Sequence, residues 1–111
     1  MRQSFKEAQD AAIDNGLSGL ELALQTVQRS RDSHTIPTPD EVNLRLDEAK
    51  SLVTEANAAL RATASRTAFL ELCDELLERH NEITTSCVLV SIYLKDARRY
   101  MEEHGPTSTP T

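Results

Sequence analysis

Phe69-Leu-Glu-Leu-Cys73-Asp-Glu-Leu76-Leu-Glu-Arg-His80-Asn-Glu-Ile83-Thr-Thr-Ser-Cys87-Val-Leu-Val90-Ser-Ile-Tyr-Leu94-Lys-Asp-Ala97-Arg-Arg-Tyr-Met101 is the stretch that decides the fold. Its numbered seam, Phe69, Cys73, Leu76, His80, Ile83, Cys87, Val90, Leu94, Ala97 and Met101, recurs at spacings of four and three without a slip. That rhythm places the seam on one face of an α-helix packed on other helices. The unbroken phase predicts one helix over residues 66–104, ~58 Å long. Gly105-Pro106 predicts its end, with glycine as a left-handed cap and proline blocking continuation. Two rivals come from the same stretch. Thr84, Thr85, Cys87, Val88, Val90, Ile92 and Tyr93 are strand formers, but no second strand candidate exists to pair with them. A break near Asn81 gives the alternative of four shorter helices.

Working backwards, a second helix is predicted over 39–63. Thr38 is its N-cap, Pro39 its first residue, and Asp40 and Glu41 complement the positive end of the helix dipole. Val42, Leu46, Ala49, Val53, Ala56 and Leu60 form its seam. Two of its six positions, Ala49 and Ala56, are alanine, which lets a neighbouring helix approach closely. Thr63-Ala-Ser-Arg-Thr67 dilutes the pattern and predicts a tight reversal. The linker Asp32-Ser-His-Thr-Ile-Pro-Thr-Pro39 cannot extend a helix, because its prolines lack the donor and its polar residues favour turns.

The first helix is predicted over 4–31. Ser4 with Glu7 gives a capping box, and Ile13, Leu17, Leu20, Leu24 and Val27 give a stripe. Gly16 and Gly19 each cost roughly 1 kcal/mol relative to alanine inside a helix. Ser18 and Glu21 form a second capping pattern beside them. A break or kink near Gly16 is therefore expected.

Together these segments predict an all-α fold, an antiparallel bundle of three long helices with coiled-coil-like packing. Residues 1–105 make one helical domain and residues 106–111 a disordered Ser/Thr/Pro tail. The chain has 111 residues, a length that suits one domain and hardly two.

Charge excludes one class of partner. Twelve Lys and Arg stand against 18 Asp and Glu, a net charge of −6. A nucleic-acid partner is not expected, because phosphate binding needs a basic surface. The longest uncharged run, Ile83–Leu94, has 12 residues, well short of the ~20 needed to span a bilayer. No apolar run follows Met1, so no secretory leader and no membrane span are expected. Cys73 and Cys87 on one helix would lie ~21 Å apart along its axis, far beyond disulfide reach. Two reduced thiols in a cytoplasmic or other intracellular protein is the expectation; an interchain bridge in a parallel homodimer is the alternative.

No catalytic or cofactor motif is present, and no enzyme, cofactor, metal or small-molecule substrate is expected. Nucleophile-elbow, phosphate-loop, dinucleotide and HExxH patterns are all missing from the sequence. The residues three before His34, His80 and His104 are Arg31, Leu77 and Met101, so a di-iron Glu-x-x-His pair is missing too. His80 is followed by Glu82 and Thr84, a weak phosphotransfer pattern. A phosphoacceptor must face outward, whereas His80 falls on the apolar seam.

Two surfaces remain as candidates. Val88, Leu89, Ile92 and Tyr93 lie off the seam and are still apolar. A helix apolar on more than one face must bury more than one face. The cover is a broken first helix, a second copy, or another protein. Glu71, Glu75, Glu78 and Glu82 form an acidic stripe, with Lys95, Arg98 and Arg99 as a basic counterpart. Pairing two copies antiparallel would bring these patches together. The sequence thus points to a non-enzymatic protein–protein interaction or assembly module, self-associating through its last helix. A small acidic regulator or chaperone binding a basic protein surface is the alternative.

Overall fold

The computed structural model describes residues 4–32, 39–80 and 85–106. It is all-helical there: α1 spans Phe5–Asp32, α2 Pro39–Arg61, α3 Arg66–Arg79 and α4 Thr85–His104. No strand occurs among the described residues. No helix is long and apolar enough to cross a membrane, among the same residues.

Local chemistry accounts for several of the boundaries. Ser4 Oγ accepts from the Glu7 amide at 3.3 Å and donates to the Glu7 carboxylate at 3.0 Å. This satisfies one of the orphan donors at the start of α1. Ser65 caps α3 in the same way, accepting from the Ala68 amide at 3.1 Å. The expected reversal at 63–67 overlaps the break between α2 and α3, which falls at residues 62–65. The Thr38 cap, the 33–37 linker, Asn81, Glu82, Ile83, Thr84 and the tail 107–111 lie outside the described residues, as do the side chains of Glu41 and Val42.

The seams named from spacing form the core. Leu46, Ala49, Val53, Ala56 and Leu60 of α2 are buried, as are Phe69, Cys73 and Leu76 of α3. Val90, Leu94, Ala97 and Met101 of α4 are buried as well. In α1, Ile13 and Leu20 are buried, while Leu17, Leu24 and Val27 only pack against the core's edge.

Four expectations are revised. First, the described residues form two helices, α3 and α4, as in the four-helix alternative, in place of the single 66–104 helix that led. His80 leaves helical dihedrals, at φ −108° and ψ 59°, while its amide still bonds the Leu76 carbonyl at 3.0 Å. Its own carbonyl accepts from Ser91 Oγ of α4 at 3.0 Å. Second, α1 runs through Gly16 and Gly19 without interruption. A Cβ on Gly16 would lie 2.7 Å from the Tyr93 carbonyl oxygen and 2.9 Å from its ring. The glycine is there because α4 comes too close for a side chain. Third, Ala8, Ala12 and Gly16, spaced by four, form the deeply buried line of α1. Small residues at that spacing let α1 and α4 make the most extensive helix contact of the molecule. Fourth, Gly105 is no left-handed cap. Its amide bonds the Met101 carbonyl at 2.8 Å, a helical bond, and a Cβ there would meet that carbonyl and the Met101 sulfur.

Polar side chains stitch the helices together. The Gln9 amide nitrogen, 2% exposed, donates towards the Leu60 carbonyl at 2.9 Å and the Thr63 carbonyl at 3.1 Å. A side chain of α1 thus caps the C-terminal end of α2. Asn15 donates to the Asp96 carbonyl at 3.0 Å, and Ser86 Oγ to the Glu48 carboxylate at 2.7 Å. Arg61 pairs with Asp10 at 3.0 Å, and Arg66 donates to the Glu102 carbonyl at 3.1 Å.

Candidate functional site

Burial separates the four apolar residues assigned from sequence to a partner surface. Leu89 and Tyr93 are buried within this chain, at 2% and 0% exposure. Ile92 is half-buried, and Val88 is exposed. The second apolar face of α4 is therefore largely spent on intramolecular packing, with α1 as its main cover. Burial also pushes the Tyr93 hydroxyl well above its ordinary range. Its oxygen has no hydrogen-bond partner among the described residues.

Large apolar side chains are exposed elsewhere. Leu22 of α1 is 66% exposed, Leu44 of α2 59% and Val88 of α4 39%. Neither leucine belongs to its helix's seam, and that was the available sequence signal. Leu22 lies off the Ile13–Val27 stripe, and Leu44 off the Val42–Leu60 seam. Apolar residues outside a seam draw no attention unless counted for their own sake.

The acidic stripe is partly in place. Glu71, Glu75 and Glu78 are exposed on α3, and Glu82 lies outside the described residues. Glu75 pairs with Arg79 at 3.3 Å on its own helix. The basic counterpart is engaged within the chain. Arg98 contacts Asp74 at 2.7 Å and Glu102 at 2.7 Å, and Arg99 contacts Asp96 at 3.2 Å. The hydrogen bond to Asp74 is the main reason the Arg98 guanidinium holds its proton more tightly than usual.

His80 is half-buried at the C-cap of α3. Its Nδ1 lies 3.9 Å from the Cys87 sulfur, in the first turn of α4. The two thiols differ sharply. Cys73 is buried, and desolvation pushes its thiol up to about 12, whereas Cys87 is only half-buried. Among the described residues no group of three or more His, Cys, Asp or Glu is placed to hold a metal ion.

No protein-family model matches this chain, and no curated protein or solved structure matches it.

Proposed function

We propose that this chain is a non-enzymatic assembly module, an antiparallel four-helix bundle that associates with copies of itself through one end. The observation that carries the reading is the exposure of Leu22, Leu44 and Val88. Cross-helix contacts support the antiparallel arrangement. Asp10 meets Arg61, Asn15 meets Asp96, Arg66 meets Glu102 and Asp74 meets Arg98.

In that register the three apolar residues fall at one end. Leu22 is seven residues beyond Asn15, and Val88 eight before Asp96. Both therefore lie ~10–12 Å from the Asn15–Asp96 contact, on the same side of it. Leu44 is four residues before Glu48, which meets Ser86. That places it within ~9 Å of Val88 along the axis. Exposed large apolar side chains brought to one end of a bundle support an association surface there. This end takes over most of the role first assigned to Leu89 and Tyr93. Val88 belongs to both readings, and Ile92 contributes only its exposed part.

The double substitution Leu22→Asp with Leu44→Asp tests the reading, with light scattering and circular dichroism as readouts. Association should be lost while helicity stays, because neither side chain is in the core. Association that survives the double substitution, or helicity that collapses with it, contradicts the proposal.

A second reading rests on Glu71, Glu75 and Glu78, exposed on α3. Under it the chain is an acidic regulator for a basic protein surface. Reversing the three to Lys would abolish such binding and leave self-association unchanged.

A further inference from the structure

We propose that Asn15 is a modification site, an asparagine–glycine pair that stays closed while α1 is packed on α4 and converts irreversibly to aspartate and isoaspartate when α1 opens. Two packing requirements put the pair together. Gly16 is glycine because α4 leaves no room for a Cβ, which would stand 2.7 Å from the Tyr93 carbonyl oxygen. Asn15 spans the same helix contact, donating from Nδ2 to the Asp96 carbonyl at 3.0 Å. Asparagine before glycine cyclises most readily, because no side chain hinders the glycine nitrogen as it approaches the amide carbon. The other asparagines, Asn43, Asn57 and Asn81, precede Leu44, Ala58 and Glu82.

Three features of the fold hold the reaction off. Helix α1 runs through both residues, and helical dihedrals at Asn15 keep its Cγ away from the Gly16 nitrogen. The Gly16 amide is committed to the helix, to the carbonyl four residues earlier. The Asn15 side chain is turned towards Asp96 and half-buried in the α1–α4 contact. All three are lost together when α1 leaves α4 and unwinds.

The step balances with water as co-reactant and no change of oxidation state. The Gly16 nitrogen attacks Asn15 Cγ and closes a five-membered imide. Nδ2 leaves as ammonia, carrying the proton that the Gly16 nitrogen gives up. Water then opens the ring at either carbonyl, giving aspartate or an isoaspartate whose backbone passes through Cγ. Neither product refits. A carboxylate at position 15 has no proton for the Asp96 carbonyl, and the Asp96 carboxylate already leans over Gly19 on the same edge of α1. The isoaspartate lengthens the backbone by one carbon just before the glycine that lies against Tyr93.

The test incubates the full chain at neutral pH, in native buffer and in urea that unfolds it, and follows Asn15, Asn43 and Asn57 by peptide mass spectrometry. In urea Asn15 should convert first, to both products. In native buffer it should convert slower by about tenfold or more, because only the opened fraction reacts. Ile13, fully buried in α1, loosens the helix without touching the pair when truncated. Conversion in native buffer should speed up by about tenfold or more in Ile13→Ala and by about twofold to tenfold in Ile13→Val, with the rates in urea unchanged. Circular dichroism checks that Ile13→Val is folded. Converted chain returned to native buffer should unfold at a lower urea concentration than unconverted chain. Conversion as fast in native buffer as in urea overturns the proposal. So does an unchanged native-buffer rate in folded Ile13→Val, and so does Asn15 outlasting Asn57 in urea. Equal urea midpoints for converted and unconverted chain overturn it as well.

Discussion

Gly16 of α1 lies flat against Tyr93 of α4, so close that a Cβ on the glycine would stand 2.7 Å from the tyrosine's carbonyl oxygen. This contact sets the spacing of the helix pair with the most extensive contact in the molecule. It explains why a residue that weakens helices sits in the middle of one.

Gly16→Ala is therefore expected to destabilise the fold. The gain in helix propensity is about 1 kcal/mol, and overpacking against backbone costs about 1–3 kcal/mol. Gly16→Val should cost more. Gly19→Ala is the control, because its new Cβ meets only the Asp96 side chain, which can rotate away. Urea midpoints of the three variants check this. Equal loss at both glycines would mean that Tyr93 is not the limiting contact.

Gln9→Met removes the amide that caps α2 while keeping the side chain's length. The Leu60 and Thr63 carbonyls then lose their α1 donor. The Leu60 carbonyl keeps the Thr63 amide and hydroxyl as donors, so the cost is that of a lost hydrogen bond, about 0.5–1.5 kcal/mol. The loss should appear both in the urea midpoint and as faster amide hydrogen exchange over the last turn of α2.

Asp74→Asn should cost under about 1 kcal/mol, because the Arg98 pair is largely solvent-exposed and water screens it. Leu76→Ala, a few residues on, should cost about 2–5 kcal/mol through lost burial and the cavity left behind. The contrast assigns α3–α4 packing to the apolar seam, and thermal unfolding of the two variants measures it.

Alkaline stability should follow Cys73. Its thiol ionises near 9.0 in the unfolded chain and at about 12 in the fold. Below pH 9 its contribution is fully present. Between those values the unfolded state holds fewer protons than the native one, so stability falls as pH rises. Tyr93 adds a loss of the same sign above 10.0. Cys73→Ala should show a shallower alkaline slope in urea titrations, with the Tyr93 part kept by burial but reduced, because Cys73 also pushes Tyr93 up. Parallel slopes for the two proteins would contradict the burial of this thiol.

Much of the core was legible in the sequence. Leu46 to Leu60, Phe69 to Leu76 and Val90 to Met101 were named from spacing alone, because a helix that buries one face must repeat at that period. The interruption after Arg79 was harder. A heptad count does not sense an interruption that falls in phase, and His80 and Cys87 are seven residues apart on either side of it, so a break near Asn81 stood only as the alternative. The signal available was Asn81 followed by Thr84, Thr85 and Ser86, a poor helix former and then capping residues, which reads equally well as a diluted helix. The glycines misled for a related reason. Propensity weighs the cost of Gly16 within its own helix and carries no knowledge of Tyr93, 77 residues later in the chain. The surface assigned to Leu89 and Tyr93 followed from the same gap. A broken first helix, a second copy and another protein were left open as the cover of α4, because spacing alone does not say how closely α1 approaches it.

The most direct test of the assembly reading is the solution mass of the unaltered protein, measured by light scattering across a dilution series. A folded dimer or larger species that dissociates on dilution is the predicted result. A well-folded monomer at every concentration would contradict it.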